Sequence, residues 1–243
     1  MFLGIADQYQ KGEYFMFYMD YYYMVLIIPC IIIASIAQMA VSSSFSKYSK
    51  LISARGFTGA QVARKILDLN GLTNVTVEHI AGNLTDHYDP TKKVVRLSDS
   101  VYFSNSVAAI GVAAHETGHA VQHSVGYIPL RLRSSIFPVV NFSSKVALPL
   151  AVLGIILQFD FLITFGILLF SAVVVFQLVT IPVEFNASKR ALRILEETGL
   201  LAQAETEGAK KVLTAAAMTY VASALTAVMS LLRLILLANS RRD

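Results

Sequence analysis

Residues Phe137 to Ile181 read FPVVNFSSKVALPLAVLGIIL-QFD-FLITFGILLFSAVVVFQLVTI, and this stretch decides the fold. Two apolar runs, Phe137 to Leu157 and Phe161 to Ile181, flank Gln158-Phe159-Asp160. Each is about as long as the 20 residues a helix needs to cross the hydrocarbon core of a bilayer. So short a connection leaves room only for a tight turn, and the pair reads as a membrane hairpin. Lys145 is the one charge inside the two runs. It suits a snorkelling position, a polar cavity, or a later true start of the first run.

Outward from the hairpin, two more segments have spanning length. Tyr21 to Val41 is preceded by Asp7, Glu13 and Asp20 rather than a basic region, and Ser42-Ser43-Ser44 follows a run of full length. It reads as an uncleaved anchor with Tyr21, Tyr22 and Tyr23 as an interfacial belt, and not as a signal peptide. Met218 to Leu237 is the fourth candidate. Its Arg233 lies near the far end, where snorkelling is cheap, and an intramembrane functional charge is the sharper alternative. The composition agrees: 55% hydrophobic, 15% charged, mean hydropathy +0.59. Soluble domains carry about 25% charge. The expected fold class is therefore a mainly α integral membrane protein with about four transmembrane helices and a small α+β domain.

Net charge is +4 with a pI near 9.1. No arginine–aromatic pattern of a nucleic-acid module accompanies that excess, so it reads as an orientation signal. Lys47, Lys50, Arg55, Arg131, Arg133, Lys189, Arg190, Arg193, Lys210 and Lys211 fall on one side if all four spans are real. The other side holds Lys11, the Gln158-Phe159-Asp160 turn and Arg241-Arg242, the terminal pair running weakly against the trend. The polar region is expected on the cytoplasmic face, with both termini outside. A single cysteine, Cys30, excludes a disulfide within the chain and a cysteine-based metal site.

Between the first anchor and the hairpin, Thr58-Gly59-Ala60-Gln61 has the pattern of a capping box. Val62, Ile66, Leu67 and Leu69 continue it as an amphipathic helix ending near Asn70-Gly71. Val75 to Ile80 alternates as a strand, and Val94 to Leu97 reads as another after a turn at Asp89-Pro90-Thr91-Lys92. A sheet edge there could pair with an extended peptide, or the strands could simply cover the next helix. Asn105 or Ser106 can cap that helix, which should run to about Gln122. The chain thus divides into an N-terminal region and first span (1–45), a polar domain (46–135), the hairpin (136–182), a following helix (183–212) and a C-terminal span (213–243).

The polar domain carries Ala113-Ala114-His115-Glu116-Thr117-Gly118-His119-Ala120. Residues four apart share a helical face, so His115 and His119 can aim two imidazoles at one metal ion. Glu116 sits between them, placed to activate water without itself ligating. A catalytic zinc site wants a third protein ligand. His123 continues the face, but the first and third histidines of one straight helix lie about 12 Å apart along the axis. It suits a supporting, substrate-facing or packing role better; His79 and His87 sit among polar residues. Glu184, just after Pro182, is the better candidate, on a helix expected to begin where the third span ends. It either ligates the metal or caps that helix, whose N-terminal dipole favours negative charge. Ser188 shares its face and could hydrogen-bond Glu184 or a histidine. For stabilising an oxyanion, His123, Asn186, Arg190 and Tyr220 are candidates.

The chain resembles the YugP-type zinc metallopeptidases of bacterial membranes over most of its length. The stretches that carry the resemblance are residues 82–90 (GNLTDHYDP), 112–123 (VAAHETGHAVQH) and 182–188 (PVEFNAS). More distantly it is similar to the HtpX and CAAX prenyl protease group, with its His-Glu-x-x-His helix, then a membrane hairpin, then a Glu-x-x-Ala-Asp helix. The resemblance implies a zincin-like domain in which His115, His119 and Glu184 hold one Zn²⁺ and Glu116 is the general base. It implies a bacterial plasma-membrane endopeptidase acting on peptides or membrane proteins, with a role in their processing or quality control. Ser188 stands where the distant group has Asp, and Asn186 where closer relatives are expected to have Asp.

Three rival functions fare less well. In an intramembrane site-2-type protease the motif lies inside a span, but the apolar run before His115 begins only at Val107. A non-catalytic scaffold, its zinc merely stapling the domain, has no need of Glu116 and would close the site with a fourth protein ligand. The inverted repeats of a transporter are not visible.

Overall fold

The structure is a computed structural model and describes residues 20–240. The expectations for Asp7, Lys11, Glu13, Arg241 and Arg242 lie outside the described residues. The elements in order are α1 (Tyr23–Tyr48), α2 (Gly59–Leu69), β1 (Thr76–Ile80), β2 (His87–Asp89), β3 (Val94–Ser98), α3 (Asp99–Tyr102), α4 (Val107–Ser124), α5 (Ile128–Leu157), α6 (Asp160–Glu197) and α7 (Gln203–Asn239).

Helices α1, α5, α6 and α7 are long and apolar enough to cross a membrane. With the small sheet, they make a mainly α membrane protein carrying a small α+β domain. All four outrun the expected spans. The 38 residues of α6 extend about 57 Å, against a hydrocarbon core of about 30 Å. Pro182 does not start a new helix as expected, because α6 continues through it to Glu197. Proline is tolerated inside such helices where neighbouring groups re-satisfy the freed carbonyl, and α5 likewise contains Pro138 and Pro149.

The chain forms two compact units, each drawing on all four long helices. The first holds residues 20–35, 138–177 and 222–240 of the described chain. Gln158 adopts φ +57° at the hairpin turn, and Phe159 N–H donates to Gly154 O at 2.9 Å. The two arms touch through glycine. A Cβ on Gly154 would meet Ile163 N at 2.7 Å, and one on Gly166 would meet Ala151 Cβ at 2.6 Å. In lipid, where no hydrophobic force drives helices together, small residues let backbones approach closely enough to attract. Lys145 is exposed on α5. Arg233 pairs with Asp20: its Nη2 lies 2.6 Å from Asp20 Oδ2, and both side chains are mostly buried. Asp20 Oδ1 accepts from Tyr23 N–H, capping α1 as well.

The second unit holds residues 36–137 and 178–221. Thr58 and Gln61 form the full capping box of α2, and Gly71 closes its far end at φ +69°. The sheet has order β1-β3-β2, β1 parallel and β2 antiparallel to β3. The three-residue β2 has too little alternation to be legible in sequence. Its insertion lets β1 and β3 pair in parallel, where adjacent strands would form a hairpin. Ser106 Oγ caps α4 by accepting from Ala109 N–H. Helix α4 is buried on two sides. Val107, Ile110 and Ala114 join a core with Val62, Ile66, Leu195 and Leu213, while Ala109, Ala113 and Ala120 join another with Leu67, Val95 and Leu97. That double burial explains its alanines and glycines: elements packed against both faces leave room only for small side chains.

Candidate metal site

Helix α4 sets His115 and His119 one turn apart, their rings 4.7 Å between centroids and edge to face. Helix α6 approaches at Gly118, where a Cβ would lie 2.7 Å from Ala187 O. That contact places Glu184, one turn before Ala187, against both histidines. Its Oε2 is 3.2 Å from His115 Nε2 and 3.5 Å from His119 Nε2. All three candidate ligand atoms lie within 4.8 Å of one another. The two histidine side chains are 15% and 12% exposed and Glu184 only 2%.

The surrounding hydrogen bonds fix which atoms face inward. Gln122 Nε2 donates to Val183 O at 2.8 Å and to Asn186 Oδ1 at 3.0 Å. Its Oε1 is therefore the acceptor facing His119 Nδ1 at 3.0 Å. His119 then carries its proton on Nδ1 and turns the Nε2 lone pair toward Glu184. Ser188 Oγ lies 3.0 Å from His115 Nδ1 and can accept in the same way. Arg133 Nη1 donates to Glu184 Oε1 at 2.9 Å, leaving Oε2 for the cluster.

Glu184 Oε2 is buried and makes no hydrogen bond. A carboxylate oxygen orphaned between two imidazole nitrogens is costly unless a cation completes it. Two imidazole nitrogens and one carboxylate oxygen are a zinc donor set of catalytic type. The residues fit such an ion. Without one, a proton takes its part. Burial would lower the His119 pKa, but the adjoining Glu184 carboxylate and the charge of Glu116 outweigh it and raise the value above 6.5.

A cavity of about 720 Å³ opens over the cluster, within the range of small-ligand sites. Glu116, Tyr88, His123, Arg133 and Tyr220 line it with the three cluster residues. His123 stays outside the cluster, its Nδ1 2.9 Å from the Tyr88 hydroxyl. Burial, then the charge of Asp89, raises the Tyr88 pKa, so the phenol keeps its proton to donate. His87 lines the cavity from β2, whereas His79 pairs with Asp99 at 2.6 Å. Arg190 Nε donates to Asn186 Oδ1 at 2.8 Å, so these two brace Gln122 and do not line the cavity.

Sequence reasoning missed Arg133, Gln122 and Tyr88 as site residues. Gln122, three positions after His119 on one helix, could have been found from spacing. Arg133 had been absorbed into the positive-inside count.

Residues 23–239 match the sequence family described as "Putative neutral zinc metallopeptidase". The chain belongs to this family. It is 54% identical over 207 residues to the protein named "Putative membrane protease YugP" of Bacillus subtilis (strain 168), covering 85% of this chain and 92% of that one. No solved structure matches the chain. In this YugP-type protein, the two departures from the related patterns have structural consequences. A neutral Ser188 hydroxyl, and not a carboxylate, meets His115. Asn186 accepts from both Gln122 and Arg190, fixing the amide that orients His119.

Proposed function

We propose that the chain is a zinc-dependent endopeptidase of the plasma membrane, acting on peptides or membrane proteins at its cytoplasmic face. His115, His119 and Glu184 would hold one zinc ion, and Glu116 would be the general base. One observation carries this reading: the buried Glu184 Oε2, lacking a hydrogen bond, converges with two histidine nitrogens beside Glu116 in an open cavity. A bound zinc ion would polarise the scissile carbonyl and bring water toward ionisation near neutral pH.

The chain's own residues do the rest. Glu116 takes a proton from the attacking water and gives it to the leaving amine, so the same carboxylate serves as base and then acid. Gln122 and Ser188 hold the histidines in the tautomer that keeps each Nε2 lone pair inward. Arg133 holds Glu184 by one oxygen. Of the four oxyanion candidates, Asn186 and Arg190 are engaged with each other and His123 with Tyr88. Tyr220 also interacts with Glu184, but it lines the cavity beside Glu116 and is the donor we assign.

Glu116→Gln tests the reading. With zinc-loaded protein in detergent and an unfolded substrate such as casein, the variant should lose activity by about 10²- to 10⁴-fold while keeping its zinc. Activity that survives the substitution would refute the assignment.

A further inference from the structure

The cluster has a second wall. A smaller cavity of about 150 Å³ shares Asp86, His115, Glu116, Glu184 and Tyr220 with the large one. Its remaining lining is mostly apolar: Val41 and Phe45 from α1, Leu84 from the loop before β2, Val112 from α4, and Val212 and Ala216 from α7. A space of this size holds a benzene-sized group, and its apolar part, away from the cluster, favours an apolar one. It opens on the same Glu116 that would meet the substrate, so whatever fills it is within one residue of the reacting carbonyl.

Resting on the peptidase reading, we propose that this cavity is a specificity subsite for one apolar side chain, of leucine or phenylalanine size, at a residue flanking the scissile bond. Size and wall chemistry both select. An aspartate there would face the carboxylates of Asp86, Glu116 and Glu184, which line the same cavity, and would be repelled. An alanine would leave the cavity largely unfilled. Leu84 forms the rim, 53% exposed and held at φ +55°. Its loop is pinned by Asp86, which accepts from the Ser98 N–H at 2.7 Å and the Ser98 hydroxyl at 2.9 Å. Three of the helices that line the cavity, α1, α6 and α7, are long and apolar enough to cross a membrane. The subsite thus suits a cleavage point within the apolar edge of a membrane-protein segment.

The test is the affinity of zinc-loaded protein in detergent for dipeptide hydroxamates that differ in one side chain: Ala, Leu, Phe or Asp. Leu and Phe should bind about tenfold to a hundredfold tighter than Ala, the worth of burying one such side chain, with Asp weakest. Ala216→Phe, which fills the cavity, should erase that preference while keeping zinc and the affinity for the Ala compound. Leu84→Asp, on the exposed rim, should narrow the preference without burdening the fold. Equal affinity for all four compounds, or a preference unchanged in both variants, overturns the subsite. If none of the compounds binds zinc-loaded protein, the peptidase reading falls and takes the subsite with it.

Discussion

Glu184 uses its two oxygens differently, and the site depends on that division. Oε1 is held by Arg133, whose guanidinium can direct a hydrogen bond and a charge at once. Oε2 is left between His115 and His119 with no hydrogen bond of its own. Protons and metal therefore compete for the same place. The two carboxylates raise the His119 pKa above its ordinary 6.5 despite burial. A raised imidazole pKa means that the proton is held until the pH exceeds the raised value, and a protonated ring offers no lone pair. Zinc affinity should thus begin to fall at a pH above 6.5 and drop about tenfold per pH unit once His119 is protonated. Zinc competition titrations between pH 8 and pH 5.5 would check this. Affinity that stays level down to pH 6 would show that the carboxylates do not act on His119 as described.

At the level of elements, the site is a crossing of α4 and α6. The crossing is close because Gly118 has no Cβ; one would lie 2.7 Å from the backbone oxygen of Ala187. Gly118→Ala should cost about 1–3 kcal/mol through overpacking, since a backbone atom cannot swing aside as a side-chain tip would. It should also loosen the contact that presents Glu184. Thermal unfolding with and without zinc would show a lower Tm in both states and a smaller gain from zinc. An unchanged Tm would mean that the helices do not meet there. The glycine was visible in sequence, but its partner was not, because Ala187 lies far along the chain. Helix caps at Thr58 and Ser106 were legible, since a cap is a local hydrogen bond. The parallel pairing of β1 and β3 was not, because β2 is only three residues long. Nor was the continuity of α6 through Pro182: the local penalty of proline is read from sequence, but the packing that offsets it is not.

For the whole molecule, the sequence pattern that shows most clearly is the alternation of apolar runs and basic flanks. It foretells four candidate spans, and the described residues hold four helices of suitable length and composition. What it hides is that the same helices extend into the polar domain, so that one helix, α6, carries both a membrane-length apolar run and Glu184. The basic flanks predict that the domain faces the cytoplasm. In a Cys30→Ala background, Gln158→Cys in the hairpin turn should react with an impermeant maleimide on intact cells. Lys50→Cys, beyond α1, should react only after permeabilisation; the reverse pattern would invert the topology. The central claim is that residues distant in sequence close on one metal ion, and metal content tests it most directly. Purified wild-type protein in detergent should carry about one zinc per chain, largely lost in Glu184→Ala. Full zinc stoichiometry in the variant, or none in either protein, would contradict the account.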